Sequence, residues 1–461
     1  MPRDQARLLT PPFSAALELR NRSGTTMPVT RRIAMKAGAA LAGTAMASSL
    51  LDWTCAWAAE QPFRPEPGAK LRFLRWGKFL DAEDKTTAEA IRTFTRATGV
   101  EVAIENEWQD DIQTKLAVAV NVGGGPDLVW TLNATPHLFA DKLLDVTDVA
   151  DYLGRKYGGW YPIVEQYGRS AARWIAIPNI LVGVLPNYRI SWVKEAGFEK
   201  FPTDSDGFLR LCQGLNRIGH PAGFAFGHAT NDGNCWCHWL LWSHGGRMVD
   251  EQNRVAINSP ETIRALEYAR AIYATLVPGT LSWNDASNNK AFLAGEIALT
   301  GNATSIYGKA RADKMPIAAD IAHATWPVGP VGVPTELHLL FPLVTLSYTR
   351  YPQAAKALIA FLLEKDQYQN LLRNCVGYIS QPLKAYENDP AWFSDPKLTP
   401  FREVSSRARS GAYAGKLGQP AAAVLADFVV VDMFAEAVTG QLTAKDAALK
   451  AEKRAHRFYR L

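Results

Sequence analysis

The sequence predicts an α/β fold built from more than one packed unit, and three observations predict it. Strand-like and helix-like segments alternate from Lys70 onward. The same alternation returns beyond residue 258. A chain of 461 residues, 48% hydrophobic and 21% charged, holds roughly two to four domains at about 100 to 200 residues each, and this composition excludes a disordered chain or a collagen-like fibre. No uninterrupted apolar run in the body reaches the ~20 residues that a membrane-spanning helix needs.

Lys70 to Trp76 alternates polar and apolar residues over a strand's length and ends at Gly77. From Asp84 to Thr98, Ala88, Ile91 and Phe94 fall at helical spacing, and Gly99 can take the left-handed cap. Val100 to Ile104 is again strand-like, completing a β-α-β order. The next helix, Asp110 to Asn121, sets Ile112, Leu116 and Val120 on one stripe, and Gly123-Gly124-Gly125-Pro126 leads into a strand, Asp127 to Trp130. This order predicts a parallel-type sheet covered on both faces. Downstream, Ser259 caps a helix that Pro260 opens, with Leu266, Ala269, Tyr273 and Leu276 as its buried stripe. Leu339 to Leu346 reads as a buried strand, and Pro352 opens a helix whose Ala355, Leu358, Ile359, Leu362 and Leu363 form a wide apolar face. The segment after Tyr386 reads as mostly helical with Pro-punctuated turns.

The N-terminus reads as a leader. Thr30-Arg31-Arg32-Ile33-Ala34-Met35-Lys36 precedes a weakly apolar stretch, Ala37 to Leu51, and Ala56-Trp57-Ala58 offers the small residues a signal peptidase accepts. Residues 1–59 are therefore read as an N-terminal extension and a twin-arginine signal peptide, with Met27 as a start and with Ala34 and Met35 where the pattern has Phe and Leu. Such a signal is an address read by a receptor, and it predicts a periplasmic protein exported by the twin-arginine pathway. The leader also holds the excess charge. It has seven basic and three acidic residues, which leaves 43 basic against 42 acidic in the rest, so the net +5 of the chain gives no argument for a nucleic-acid partner.

Five stretches, in this order, carry a family resemblance. They are Gly123-Gly124-Gly125-Pro126-Asp127-Leu128-Val129-Trp130; the passage Ile177-Pro178, Leu185-Pro186-Asn187-Tyr188, Ala196-Gly197-Phe198 and Phe201-Pro202-Thr203; Ala291 to Leu299 around Gly295-Glu296; the Ala-rich helix from Pro352 to Lys365; and Gly377-Tyr378-Ile379-Ser380, where Ser380 replaces a usual Pro. Together they resemble the extracellular solute-binding proteins of ABC importers, in particular the sugar-binding, maltose-binding-protein-like group. The resemblance implies an α/β, two-lobed periplasmic-binding-protein-like fold with a hinge and an interlobe ligand cleft. One lobe would be residues 70–180 plus 336–378, the other 181–335 plus 379–461. It further implies a small-molecule ligand, a carbohydrate before a polyol or glycerol-phosphate compound, delivered intact to a membrane permease by a monomer. No cofactor, metal or catalytic residue is expected.

A sugar offers apolar C–H faces and a rim of hydroxyls, so its site needs aromatic surfaces and fixed hydrogen-bonding groups. Trp76, Trp130 and Trp326 stand where strands end, the usual ligand position in open α/β sheets. By the resemblance, Trp130 and Asn133 after the Pro-Asp strand, and Asn302 and Tyr307 after the Gly-x-Ala segment, line the cleft; Lys78 would donate to hydroxyls or to an acidic substituent. The polar loop at Asn231 and Asp232 is placed at the cleft too, ahead of a stripe of Trp236, Trp239 and Trp242 read as core. Asp127 is read as a brace for the glycine turn. Two other classes compete with this reading. An exported glycoside hydrolase needs a carboxylate pair about 5 to 10 Å apart; Ser191-Trp192-Val193-Lys194 matches a Ser-x-x-Lys motif with no Lys-Thr-Gly to accompany it. A metal binder would draw on His228, Cys235, Cys237, His238 and His244, which lack the usual Cys-x2–4-Cys spacing. Cys212, Cys235, Cys237 and Cys375 permit one or two disulfides in an oxidising compartment.

Overall fold

A computed structural model describes residues 57, 60–77, 80–375 and 377–460. The twin-arginine reading, the Met27 start and Lys78 lie outside the described residues. The chain divides into an N-terminal unit, Met1–Gln61, and a body, Pro62–Leu461.

Two sheets organise the body. In the first, β1 (Lys70–Trp76) leads through helix α1 (Asp81–Thr98) to β2 (Glu101–Glu107), and through helix α2 (Gln109–Val122) to β3 (Leu128–Trp130). Gly99 ends α1 in the left-handed conformation, φ 74°, and its N–H closes on Thr95 O. β1 pairs in parallel with β2 and with β3. Asp127 braces the entry to β3, accepting from Arg72 N at 2.8 Å and from Thr349 Oγ1 at 2.6 Å.

After β3 the chain reaches β4 (Ile177–Val182), which forms one edge of this sheet. Only Gly183 and Val184 separate β4 from β5 (Leu185–Arg189) of the second sheet. A Cβ on Gly183 would meet Val404 Cγ2 at 2.5 Å and Phe401 Cδ1 at 2.9 Å, so the passage needs glycine. The second half carries helices α3 (Ser205–Arg217), α4 (Asp232–Ser243), α5 (Pro260–Tyr273) and α6 (Ser287–Ala294), then β6 (Leu299–Asn302), α7 (Ser305–Ala312) and β7 (Ile321–His323). β5 is central, antiparallel to β6 and to β7. As the sequence predicts, Ser259 caps α5, its side chain accepting from Thr262 N with Pro260 in the first turn.

The chain then returns to the first sheet as β8 (Leu339–Thr345), giving the order β2-β1-β3-β8-β4. β8 runs antiparallel to β3 and to β4, so the sheet is mixed where periodicity predicted parallel. The reason is connectivity: β8 enters from the other sheet rather than through a helical crossover, so nothing forces it to run parallel. Helix α8 (Pro352–Leu362) is buried from Ala354 to Leu362 except at Lys356, and α9 (Lys365–Cys375) packs with α8 on α1. A third passage is pinned where Ser380 and Leu181 exchange backbone hydrogen bonds of 2.8 and 3.2 Å. Short helical turns lead to α10 (Gln419–Ala426), α11 (Val429–Val438) and α12 (Ala444–Ala455). α11 and α12 pack on α5, whereas α10 reaches the Thr135–Leu138 turn that follows β3.

The tryptophans largely build cores. Trp236 stacks on Phe224 with centroids 4.0 Å apart, and Trp326 stacks on Trp239 at 4.8 Å. Burying such a ring removes enough apolar surface to stabilise the fold by several kcal/mol at about 25 cal/mol per Å². The four cysteines that could have paired are free thiols, all buried. Each thiol is pushed up, chiefly by burial. Among the described residues no helix is long and apolar enough to cross a membrane, and no group of three His, Cys, Asp or Glu side chains is placed to hold a metal ion.

Candidate functional site

A cavity of about 200 Å³ lies where segments of both sheets meet. From the first half, Gln109 and Gln113 reach it from successive turns of α2, and Asn133 from the segment after β3. From the second half come Thr230, Asn231 and Asn234 at the start of α4. The returning passage contributes His338. Ala422 and Leu425 of α10, with Phe428 just beyond it, complete the wall.

The backbone fixes these groups firmly. Asn133 sits at φ 46°, a conformation Asn tolerates better than most residues, and its Oδ1 accepts from Leu340 N at 3.2 Å. His338 Nδ1 accepts from Val184 N at 3.2 Å, which leaves Nε2–H to donate to Glu336 Oε2 at 2.9 Å. Burial works to raise the Glu336 carboxyl, yet hydrogen bonds from His338 and Arg407 and the Arg407 charge hold it below its ordinary value. This pairing ties two of the interlobe passages together.

α4 begins in a dense polar network. Asp285 accepts from Asn231 N, Asn231 Nδ2 and Asp232 N at 3.2, 3.0 and 2.9 Å. Gln109 Nε2, from the other sheet's half, donates to the same carboxylate at 2.9 Å. Asp232 accepts from Asn288 Nδ2 at 2.7 Å. Burial, reinforced by the nearby Asp285, pushes the Asp232 carboxyl well above its ordinary value.

Two atoms stand out. Asn231 Oδ1 and Asn234 Oδ1 are buried side-chain acceptors, and no group among the described residues donates to them. Their amides are not flipped by accident. Asn231 Nδ2 faces a carboxylate, and Asn234 Nδ2 donates to Thr230 O at 3.0 Å; both partners accept, so nitrogen must face them and oxygen must face away. The remaining lining is amide, hydroxyl and apolar together with the His338 imidazole and the Cys235 thiol, and among the described residues no Lys, Arg, Asp or Glu side chain lines the cavity.

The residues singled out from the sequence fall into three groups. Asn133 and Asn231 line this one cavity. Asn231, Asp232 and Asn302 line a smaller one of about 20 Å³, which shares Gln109 and Asn231 with the first. Asn302 caps α7's approach, its Oδ1 accepting from Ala303 N at 2.6 Å and Ser305 Oγ at 3.1 Å. The aromatic candidates lie elsewhere. Trp130 and Trp76 are buried in the first half, their centroids 5.6 Å apart with Arg75 over both rings, and Trp130 Nε1 donates to Asn179 Oδ1 at 2.6 Å. Trp326 Nε1 donates to Val184 O at 2.7 Å inside the second half. Tyr307 donates to Asp395 Oδ2 at 2.6 Å, away from the cavity. The sequence reading did not single out Gln109, Gln113, Asn234, Asp285, His338 or Phe428. The available signals were the i, i+4 glutamine pair at the head of α2 and the i, i+3 asparagine pair at the head of α4.

Fold and cavity together define a two-lobed, hinged small-molecule-binding protein. Residues 89–400 match the bacterial extracellular solute-binding protein family, and the chain belongs to that family. A Deinococcus radiodurans protein described as a probable ABC transporter-binding protein is 24% identical over 245 residues, 51% of this chain; the match spans 56% of that relative's length. Among solved structures, T. maritima MalE3 with bound maltose aligns at TM-score 0.72 and 22% identity, covering 85% of this chain and 100% of that one. A sugar transporter from Arthrobacter chlorophenolicus A6 with bound laminaribiose aligns at TM-score 0.73 and 16% identity, covering 85% and 99%. These likenesses show the fold of two-lobed periplasmic binding proteins.

Proposed function

We propose that this protein is the periplasmic substrate-binding component of an ABC importer, that it captures an uncharged carbohydrate between its lobes, and that it hands the sugar unchanged to a membrane permease. The lobes are residues 70–180 plus 336–378 and residues 181–335 plus 379–461, and the protein acts as a monomer exported by the twin-arginine route. One observation carries the choice of ligand: the cavity is lined by the amide residues Gln109, Gln113, Asn133, Asn231 and Asn234, and no Lys, Arg, Asp or Glu stands among its described lining residues. Hydroxyl groups pair with such amides at no cost in buried charge. A glycerol-phosphate compound would need Arg or Lys on its phosphate, and none among the described residues lines the cavity. Glycoside hydrolysis would need two carboxyl groups flanking the ligand; Asp232 and Asp285 are held behind Asn231 instead, in the smaller cavity.

A thermal-shift screen with maltose, laminaribiose, ribitol and glycerol 3-phosphate tests this reading, because a ligand bound only by the folded form raises Tm by mass action. A rise with at least one neutral compound and none with glycerol 3-phosphate is expected. A rise with glycerol 3-phosphate alone would overturn the reading.

A further inference from the structure

We propose that the cavity takes a single sugar unit, a pentose, a hexose or a polyol of that size, and that α10 is the stop that turns longer saccharides away. This rests on the carbohydrate reading above. A chain of sugars needs a groove that stays open along its length, whereas the two halves of this protein touch at two places beside the cavity. Gln109 Nε2, at the head of α2, reaches Asp285 Oδ2 at 2.9 Å. α10 packs on the Thr135–Leu138 turn that follows β3. Both contacts belong to the wall itself, since Gln109 lines the cavity and so do Thr135, Ala422, Leu425 and Ala426.

The volume agrees. The cavity measures about 200 Å³, below the ~300–1,000 Å³ of sites that enclose drug-sized ligands. At the close packing of organic crystals a hexose takes roughly 190 Å³ and a disaccharide roughly 370 Å³, so one unit fits and two do not. The stop is also held in place. Leu425 packs so closely on Gly411 that a Cβ there would stand 2.5 Å from Leu425 Cδ1, which leaves the leucine no space to retreat on that side. Tyr167 joins this support to the opposing turn: its hydroxyl accepts from Gly411 N at 3.1 Å, and its carbonyl accepts from His137 Nε2 at 3.2 Å. A second ring would have to overlap Leu425 or part the halves, and a clash of this kind selects by penalising the wrong ligand.

Calorimetric titration tests this with glucose, galactose, xylose and ribitol as single units and with maltose and laminaribiose as double ones. At least one single unit should bind the wild-type protein at least tenfold more tightly than either disaccharide. Leu425→Ala cuts the stop back and should narrow that ratio to below about threefold, with a melting curve to show that the variant is folded. Should it not fold, Leu425→Val should move the ratio in the same direction by at least twofold. A disaccharide that binds wild type as tightly as the best single unit overturns the size limit and leaves the carbohydrate reading intact. An unchanged ratio in the folded variant overturns the role of α10. Binding by none of the six compounds removes the carbohydrate reading, and the proposal with it.

Discussion

Gln109 Nε2 lies 2.9 Å from Asp285 Oδ2, joining residues 176 positions apart in the chain and linking the first turn of α2 to the buried network at the head of α4. Gln109 also lines both cavities, so the contact that draws the two halves together lies beside the ligand.

Gln109→Ala removes a hydrogen bond to a carboxylate, a class that contributes about 1.5–3 kcal/mol. If the contact stabilises the closed arrangement, part of that energy is withdrawn from the binding-competent state. Calorimetric titration with the saccharide found by screening should show binding about tenfold weaker or more. Small-angle scattering of the free protein should show a larger radius of gyration. Unaltered affinity and size would remove the contact from the closure mechanism.

Asn231→Ala and Asn234→Ala each take a polar amide out of the cavity lining. The loss should be about 1–3 kcal/mol of binding free energy, the scale of an unpaired buried polar group. In the free protein the same changes remove an acceptor that no described residue satisfies, which offsets the lost Nδ2 bond. The melting temperature of the free form should therefore hold or rise while affinity falls, the usual sign of a site that trades stability for function.

Trp130→Ala should behave in the opposite way. The ring is 2% exposed and packs on Trp76 and Phe73, so truncation leaves a large hole and deletes two hydrogen bonds. Denaturant unfolding should show a loss of about 3–5 kcal/mol. A normal stability with abolished binding would instead return Trp130 to the ligand.

Stability should depend on pH in two opposed ways. Burial depresses His238 and His323 to about 4. Their unfolded value is near 6.5, so the native state binds fewer protons between these limits; the stability present above 6.5 is lost as pH falls toward 4, by up to about 3 kcal/mol per group. Asp232 has the other sign: raised in the native state, it contributes stability below its unfolded value near 3.8 that is lost as pH rises toward and through the folded value. Melting curves from pH 4 to 8 should show His323→Asn flattening the acid limb. Asp232→Asn should raise Tm at pH 7 more than at pH 4. Identical pH profiles for the wild type and His323→Asn would contradict the assignment.

Much of the fold was legible because it is written in short periods. The alternation over Lys70 to Trp76, the stripe ahead of Gly99 and the Ser259-Pro260 start all reappear as the expected elements. The antiparallel β8 was not legible, because strand direction depends on a passage between sheets that no local pattern records. The site divides in the same manner. The polar loop at Asn231 signalled itself by being out of place before a tryptophan stripe. The strand-end tryptophans misdirected attention because position along a strand says nothing about which way a ring folds: Trp76 and Trp130 turn onto each other and onto Arg75. Asp285 and His338 carry no local mark at all, since their importance arises from partners far away in sequence.

The most direct measurement is a crystal structure of the protein grown with the neutral saccharide that raises its melting temperature. The account expects density for one sugar in the cavity bounded by α2, the head of α4 and α10, with ligand hydroxyls within about 3 Å of the side-chain amides that line it, among them those of Asn133, Asn231 and Asn234. A sugar stacked on Trp76 or Trp130, or lodged outside that cavity with those amides untouched, would contradict it.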